Sequence, residues 1–266
     1  MKRKYIFFDI DGTIVDDATQ IIPASAVRAV ERLRQAGHLP VVNTGRPFHH
    51  IDPRVRAMGF RAWICGCGMQ VILDGEYLYR DYPSVEACHR ATAMAKKCGL
   101  YQMCESEREL FWNTELTHDQ APFQVEEAAR LVAKGIPSRH LKELGPEEGY
   151  LKFITNDGPS PDRQAMMAAV AEDFDAIVRA DDMIEYMKKG NTKAGGMEIL
   201  LRHLGIHRKD TVAIGDSTND LPMFALAGTT VCMGGGMPEA KQAAHIITDT
   251  VLDDGIEKAL TKLGLI

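Results

Sequence analysis

The chain has 266 residues, 45% of them apolar and 26% charged. That balance excludes a disordered, collagenous or coiled-coil chain, and the length suits one or two domains of ordinary size. With 31 Lys and Arg against 37 Asp and Glu the net charge is −6, so no global basic field exists to hold nucleic acid or an anionic membrane, while a local basic pocket stays compatible. The apolar run Tyr5-Ile6-Phe7-Phe8 stops at Asp9 and reads as a buried parallel strand. The loop Asp9–Thr13 then falls at the strand end where open α/β sheets bind ligands. Pro23, the helically spaced Val27, Val30 and Leu33, and Gly37 predict a helix from about Ala24 to Ala36. Leu39–Val42 is a second strand, ending at Asn43-Thr44-Gly45-Arg46 and completing a right-handed βαβ unit. Val71–Tyr79 reads as a hairpin turning at Asp74-Gly75.

The stretch from Pro83 to Met187 differs. It mixes helical segments (Val85–Cys98, Phe123–Lys134, Pro161–Phe174) with short strands (Tyr101–Cys104, Leu110–Asn113, Leu151–Ile154, Ala176–Arg179, Ile184–Met187), as expected of an α+β insert. Beyond it the α/β rhythm resumes. Thr192 caps a helix with Ala194, Met197, Leu201 and Leu204 on one face, closed by Gly205. Thr211–Ile214 is a strand ending at Gly215-Asp216, a helix begins near Asp220, and Thr230–Met233 is a further strand. The fold class expected is therefore α/β, a Rossmann-like core with a parallel sheet (residues 1–82 and 188–266) carrying an inserted α+β domain (83–187). The six cysteines are too sparse for a disulfide framework and read as reduced thiols. Four apolar residues before Asp9 are too few for a signal peptide, and no run reaches the roughly 18 apolar residues of a membrane span, so a cytoplasmic protein is expected.

Three strand ends carry polar residues: Asp9-Ile10-Asp11-Gly12-Thr13, Thr44-Gly45-Arg46 and Gly215-Asp216-Ser217-Thr218-Asn219-Asp220. Acidic pairs elsewhere, Asp16-Asp17, Asp181-Asp182 and Asp253-Asp254, read as solvated turns. Asp9 differs because it ends a buried strand, where a carboxylate is costly without a cation or partner. Asp9, Asp11 and Asp216 offer the hard oxygen ligands that suit Mg²⁺. A phosphate dianion about 4 Å from a carboxylate is repelled by roughly 8 kcal/mol at an effective dielectric near 20, and Mg²⁺ and Lys193 are the available countercharges.

Asp9-Ile-Asp11-Gly-Thr13, Thr44-Gly45-Arg46, Lys193 and Gly215-Asp216-x-x-Asn219-Asp220, in that order, resemble the four motifs of the haloacid dehalogenase superfamily. Asn43-Thr44-Gly45-Arg46, Gly190-Asn191-x-Lys193 and the run from Gly215 to Phe224 are similar to its Cof-type (subfamily IIB) phosphatases, whose large cap lies between the second and third motifs. The resemblance covers essentially the whole chain. It implies phosphoryl transfer in two steps, with Asp9 as nucleophile forming an aspartyl phosphate and Asp11 as general acid and base. It implies Mg²⁺ held by the Asp9 carboxylate, the Asp11 carbonyl and Asp216, with Asp220 in support through water. It implies phosphoryl oxygens held by Thr44, the Gly45 and Ile10 amides, Lys193 and Asn219. The substrate expected is a small phosphorylated metabolite, with Arg46, Arg108, Trp112, Tyr150 and Lys152 as candidate contacts. Arg46 alternatively fixes the second-motif loop. No nucleic acid, membrane or particular oligomeric state is expected from the sequence. A phosphomannomutase-type mutase and a catalytically idle metabolite-binding regulator are the alternatives. The chain departs from the family at Cys67-Gly68, where Asn-Gly is usual. His49-His50 reads as surface cover, and Thr13 as a turn residue or a partner that orients Asp9.

Overall fold

A computed structural model describes residues 2–180 and 182–266, so Asp181 of the second acidic pair lies outside the described residues. The strand β1 (Tyr5–Phe8) is followed by α1 (Ala24–Gln35), β2 (Leu39–Asn43), the short α2 (Pro53–Arg56), β3 (Ala62–Cys65), β4 (Gln70–Leu73) and β5 (Glu76–Arg80). Then come α3 (Val85–Lys97), β6 (Leu100–Glu105), β7 (Leu110–Trp112), α4 (Pro122–Ala133), β8 (Ser138–His140), β9 (Lys152–Asp157), α5 (Arg163–Val170), β10 (Phe174–Ala180) and β11 (Met183–Lys188). The chain closes with α6 (Lys193–Leu204), β12 (Thr211–Gly215), α7 (Leu221–Leu226), β13 (Thr229–Cys232), α8 (Pro238–Ala243), β14 (Ile246–Ile247) and α9 (Gly255–Lys262).

Two compact units result, one of Met1–Arg46, Asp52–Arg80 and Thr192–Ile266, the other of Pro47–Ile51 and Asp81–Asn191. The first unit is an α/β core around an eight-stranded sheet ordered β14-β13-β12-β1-β2-β3-β4-β5. Its strands run parallel from β14 to β3, and the β4–β5 hairpin continues it antiparallel. The hairpin turns at Asp74 and Gly75, both with positive φ (52° and 86°), the backbone that an Asp-Gly pair tolerates. Helix α6 starts at its Thr192 cap, whose Oγ1 accepts the Gly195 N–H at 3.1 Å, and ends at Gly205 in the left-handed region. Phe7, Val41, Ile64 and Ala213 from the sheet meet Met197, Leu200 and Leu201 of α6 in one apolar cluster.

The second unit holds a six-stranded sheet ordered β10-β11-β9-β6-β7-β8, antiparallel apart from the β7–β8 pair. One face, with Cys104, Phe153 and Tyr186, packs on Ala87, Ala91 and Ala95 of α3 and Met166 and Val170 of α5. The other face sets Met103, Leu110 and Ile154 against Ala128 and Leu131 of α4. The segment Pro47–Ile51 belongs to this unit because His50, which sequence reading assigned to surface cover, is fully buried and places Nδ1 3.2 Å from Glu105 Oε2. All six cysteines are free and buried. No helix among the described residues is long and apolar enough to cross a membrane.

Candidate active site

Strands β2, β1 and β12 are neighbours in the core sheet, so parallel pairing brings their C-terminal ends together. Phe8 pairs with Val42 and Ile214, which sets Asp9 between the Asn43-Thr44 and Gly215-Asp216 ends. The Asp9 amide donates to the Ile214 carbonyl at 3.0 Å, and the residue is buried. Lys193, at the first turn of α6, is wholly buried, and its Nζ lies 2.9 Å from Asp9 Oδ1 and 2.6 Å from Asp220 Oδ1. The buried Asn43 side chain donates to the Lys193 carbonyl at 3.0 Å and ties the second strand end to α6.

Asp220 is spent on structure. Its Oδ1 meets Lys193, and its Oδ2 accepts the amides of Asp216 at 2.9 Å and Ser217 at 3.0 Å. Asp216 stands nearer the solvent, with Oδ1 accepting from Thr13 Oγ1 at 3.0 Å. Thr13 thus orients Asp216 rather than Asp9. Gly12 has φ +71°, and a Cβ there would fall 2.4 Å from Asp216 Oδ2, so glycine admits the close approach of the two loops. Asp11 is gripped by Arg46, whose Nε and Nη2 donate to its two oxygens at 2.6 and 2.9 Å. Arg46 therefore addresses a carboxylate of the first loop. Its own amide donates to Thr44 Oγ1 at 3.2 Å, which leaves the Thr44 hydroxyl proton available as a donor. Asn219 takes a hydrogen bond from Ser217 Oγ at 2.9 Å, and its Nδ2 lies 4.0 Å from where a Cβ on Gly45 would sit.

Burial pushes the Asp9 carboxyl well above its ordinary range; Lys193 pulls against it, while Asp220, Asp216 and Asp11 add to the rise. Asp216 is driven up to about 7, by burial first and then by Asp220, against Lys193 and the Thr13 hydrogen bond. Burial alone would lower Lys193, but Asp220 and Asp9 outweigh it, so the amine is raised and stays charged. Carboxylate oxygens of Asp9, Asp216 and Asp220 lie within 4.8 Å of one another. The cluster is short of positive charge, and a hard divalent cation with oxygen ligands removes that shortage. Asp9 and Asp216 are the oxygens open to it, since both Asp220 oxygens are engaged within the protein.

A profile for haloacid dehalogenase-like hydrolases matches residues 6–260. The chain belongs to the haloacid dehalogenase-like hydrolase family. It is 29% identical over 266 residues to "Putative phosphatase YkrA" of Bacillus subtilis strain 168, covering 100% of both chains. It is 25% identical to the "5-amino-6-(5-phospho-D-ribitylamino)uracil phosphatase YitU" of the same organism, over 97% of both. The solved structure of a hypothetical protein from Geobacillus kaustophilus HTA426 matches it with a TM-score of 0.84 and 26% identity over 100% of both chains. In this hydrolase the second compact unit, Pro47–Ile51 and Asp81–Asn191, lies in the chain between Arg46 and Lys193.

Within the inserted unit of this hydrolase, two expected substrate contacts are corrected. Tyr150 is core: 2% exposed, it donates its hydroxyl to the Cys88 carbonyl at 2.6 Å and its ring packs on Phe153. Lys152 is buried on the sheet between Glu105 (3.1 Å) and Glu185 (2.8 Å), so its charge is already matched. Trp112 is half-buried beside the α4 cluster, with Nε1 donating to Ser138 Oγ at 2.9 Å. Arg108 is exposed in the turn between β6 and β7. Sequence reading missed Asn43 as a tie to α6 and Cys67 as a neighbour of Gly45, with its Sγ 3.4 Å from a Cβ built there. The sole prior signal was their place within or beside the motifs.

Proposed function

We propose that this hydrolase is a Mg²⁺-dependent phosphatase that cleaves a small phosphorylated metabolite, a sugar phosphate or similar phosphomonoester, through an aspartyl phosphate on Asp9. The observation that carries the reading is the buried Asp9 carboxylate, ion-paired to Lys193 beside Asp216, with a second carboxylate, Asp11, held two residues away by Arg46. Full-length relatives named as phosphatases support it.

Lys193 donates to one Asp9 oxygen and so fixes the carboxylate, leaving the other oxygen to attack phosphorus. As the new O–P bond forms, the bond to the ester oxygen breaks, and Asp11, having released one Arg46 N–H and taken a proton from solvent, gives that proton to the ester oxygen. Water then attacks phosphorus, its proton passes to Asp11, and inorganic phosphate leaves with the Asp9 carboxylate restored. Arg46 sets the position of Asp11 for both transfers. The Ile10 and Gly45 amides, the Thr44 hydroxyl, Asn219 and Lys193 are the donors for the phosphoryl oxygens. Asp9, the Asp11 carbonyl and Asp216, with Asp220 behind them, would hold Mg²⁺. When bound, the ion supplies charge that offsets the repulsion between carboxylate and phosphate.

The test is phosphate release from a panel of sugar phosphates, other metabolite monoesters and a chromogenic ester, with Mg²⁺ and with chelator. Wild type is expected to turn over at least one with Mg²⁺ and to stop on chelation, while Asp9→Asn stays folded and loses activity by about 10³-fold or more. Equal, negligible release by both proteins across the panel refutes the reading. Dependence on a sugar bisphosphate without net phosphate release would show a mutase instead.

A further inference from the structure

At the opposite end of the core strands a half-open cavity of about 300 Å³ is lined by Arg3, Arg34, Gly37, His38, Leu39, Pro40, Gly59 and Arg61. It lies at the N-terminal edges of β1, β2 and β3, some five strand residues or about 17 Å from Thr44. Arg3 rests over the Tyr5 ring at 5.5 Å and meets no carboxylate among the described residues. Arg34 is held by Glu31 at 2.6 Å, and its guanidinium lies where a Cβ on Gly59 would be, 2.5 Å from Nη1. Arg61 is fixed by Asp74, which accepts from Nε at 2.6 Å and Nη2 at 2.7 Å. A guanidinium has five N–H donors, so Arg34 and Arg61 keep donors beyond these pairs.

His38 gives the second, independent sign. Its Nδ1 accepts the Lys4 amide N–H at 3.0 Å, so the neutral ring carries its proton on Nε2. That Nε2 is buried without a hydrogen-bond partner, in a residue only 4% exposed. Burial, with the positive charges of Arg3 and Lys4 nearby, holds the ring below its ordinary pKa and so neutral. Near the end of α1 the carbonyls of Arg32, Leu33 and Arg34 are already taken by the Ala36, His38 and Gly37 amides. What the cavity shows a ligand is donors and positive charge.

We infer that this cavity is a binding site for a small phosphate-class oxyanion, gripped by Arg3, Arg34 and Arg61 and completed by the Nε2–H of His38. The volume equals about ten waters at their liquid share, more than a single tetrahedral oxyanion requires. Guanidinium forks pair with phosphate oxygens in bidentate fashion, and the phosphate's several oxygens allow donors from more than one element to be used at once. Nε2 has no exposed surface in this structure, so the proposed contact requires a side-chain movement that uncovers it. The site is independent of Asp9 and of the turnover proposed there.

The experiment follows the His38 imidazole by ¹H–¹⁵N NMR during titration with inorganic phosphate, with acetate and chloride at matched ionic strength as separate arms. Phosphate is expected to move the Nε2–H signal saturably, and acetate and chloride are not. In R3Q/R61Q the phosphate midpoint should rise about tenfold or more, with turnover of the chromogenic ester unchanged. Equal shifts in all three arms, or a saturable phosphate shift that survives in the variant, overturns the inference. If R3Q/R61Q unfolds, R3Q alone serves, because Arg3 makes no carboxylate pair to lose.

Discussion

The pairing of Asp11 with Arg46 joins two motifs through one side-chain contact, and under the proposed mechanism Arg46 positions Asp11 rather than anchoring substrate. Arg46→Gln is expected to lower kcat about 10- to 100-fold with little change in KM, and Arg46→Lys to recover part of the loss. A KM increase at constant kcat would instead place Arg46 on the substrate. Gly12→Ala should be worse than its size suggests, since the new methyl meets Asp216 in a backbone conformation that favours glycine. The expected outcome, under the proposed metal dependence, is an activation curve shifted to higher Mg²⁺ concentration together with a lower melting temperature. Cys67 sits at φ 51° and ψ 42°, a left-handed conformation that asparagine tolerates better than cysteine. Cys67→Asn is therefore expected to stabilise the fold by about 1 kcal/mol, read as a higher denaturant midpoint at constant slope. Asp9 and Asp216 were legible as candidate site residues because they follow apolar strands, and Asp11 because it shares a loop with Asp9. The jobs of Arg46, Asn43 and Thr13 were not, because they depend on loops 30 to 200 residues apart meeting at one sheet edge.

Among elements, the strands of the second unit show where one-dimensional patterning stops. Strands β6, β9, β10 and β11 were marked by apolar runs, whereas β8, Ser-Arg-His, is half-buried throughout and has no such run to mark it. Its pairing with β7 supplies the pattern that its residues lack. Helix α5 is shorter than its apolar periodicity suggested, since Asp162 caps it at the Ala165 amide (2.9 Å) and the chain turns to β10 after Val170. On this sheet Glu185 is buried, which alone would raise its carboxyl, yet Lys152 and Arg179 pull it from the ordinary 4.5 to about 2. A folded-state value below the unfolded one stabilises the protein above about pH 4.5, and that contribution fades as pH falls from there toward about 2. Wild type should therefore lose stability over that window by an amount on the order of a few kcal/mol, measured as a falling denaturant midpoint. Glu185→Gln should start lower at neutral pH and show a flatter acid limb.

At the scale of the whole molecule, the chain passes between the two units at Arg46–Pro47, Ile51–Asp52, Arg80–Asp81 and Asn191–Thr192. The sequence reading placed a change of rhythm at 82/83 and 187/188, near but not at the last two. The first two were hidden, because five residues carry no periodicity and only the burial of His50 beside Glu105 reveals where they belong. At the later pair, Asp81 takes Lys188 and Asn191 on its two carboxylate oxygens, so the entering and leaving strands are tied inside the second unit. With its own apolar clusters and closed entry, the fragment 81–191 is expected to melt cooperatively by itself, monitored by circular dichroism. A non-cooperative, broad transition would show that the core or the 47–51 segment is needed to hold it.

The same order has a consequence during synthesis. Strand β1 lies between β2 and β12, and the Asp9 amide bonds to Ile214, 205 residues further along. A ribosome adding about 5–20 residues per second leaves that flank of β1 unpaired for roughly 10–40 s. For most of that interval residues 81–191 are themselves being made, and the β12 flank of β1 stays an unpaired strand edge until Ile214 follows them. Asp9 is among the first residues made, and the pocket around it is among the last parts of the protein to exist.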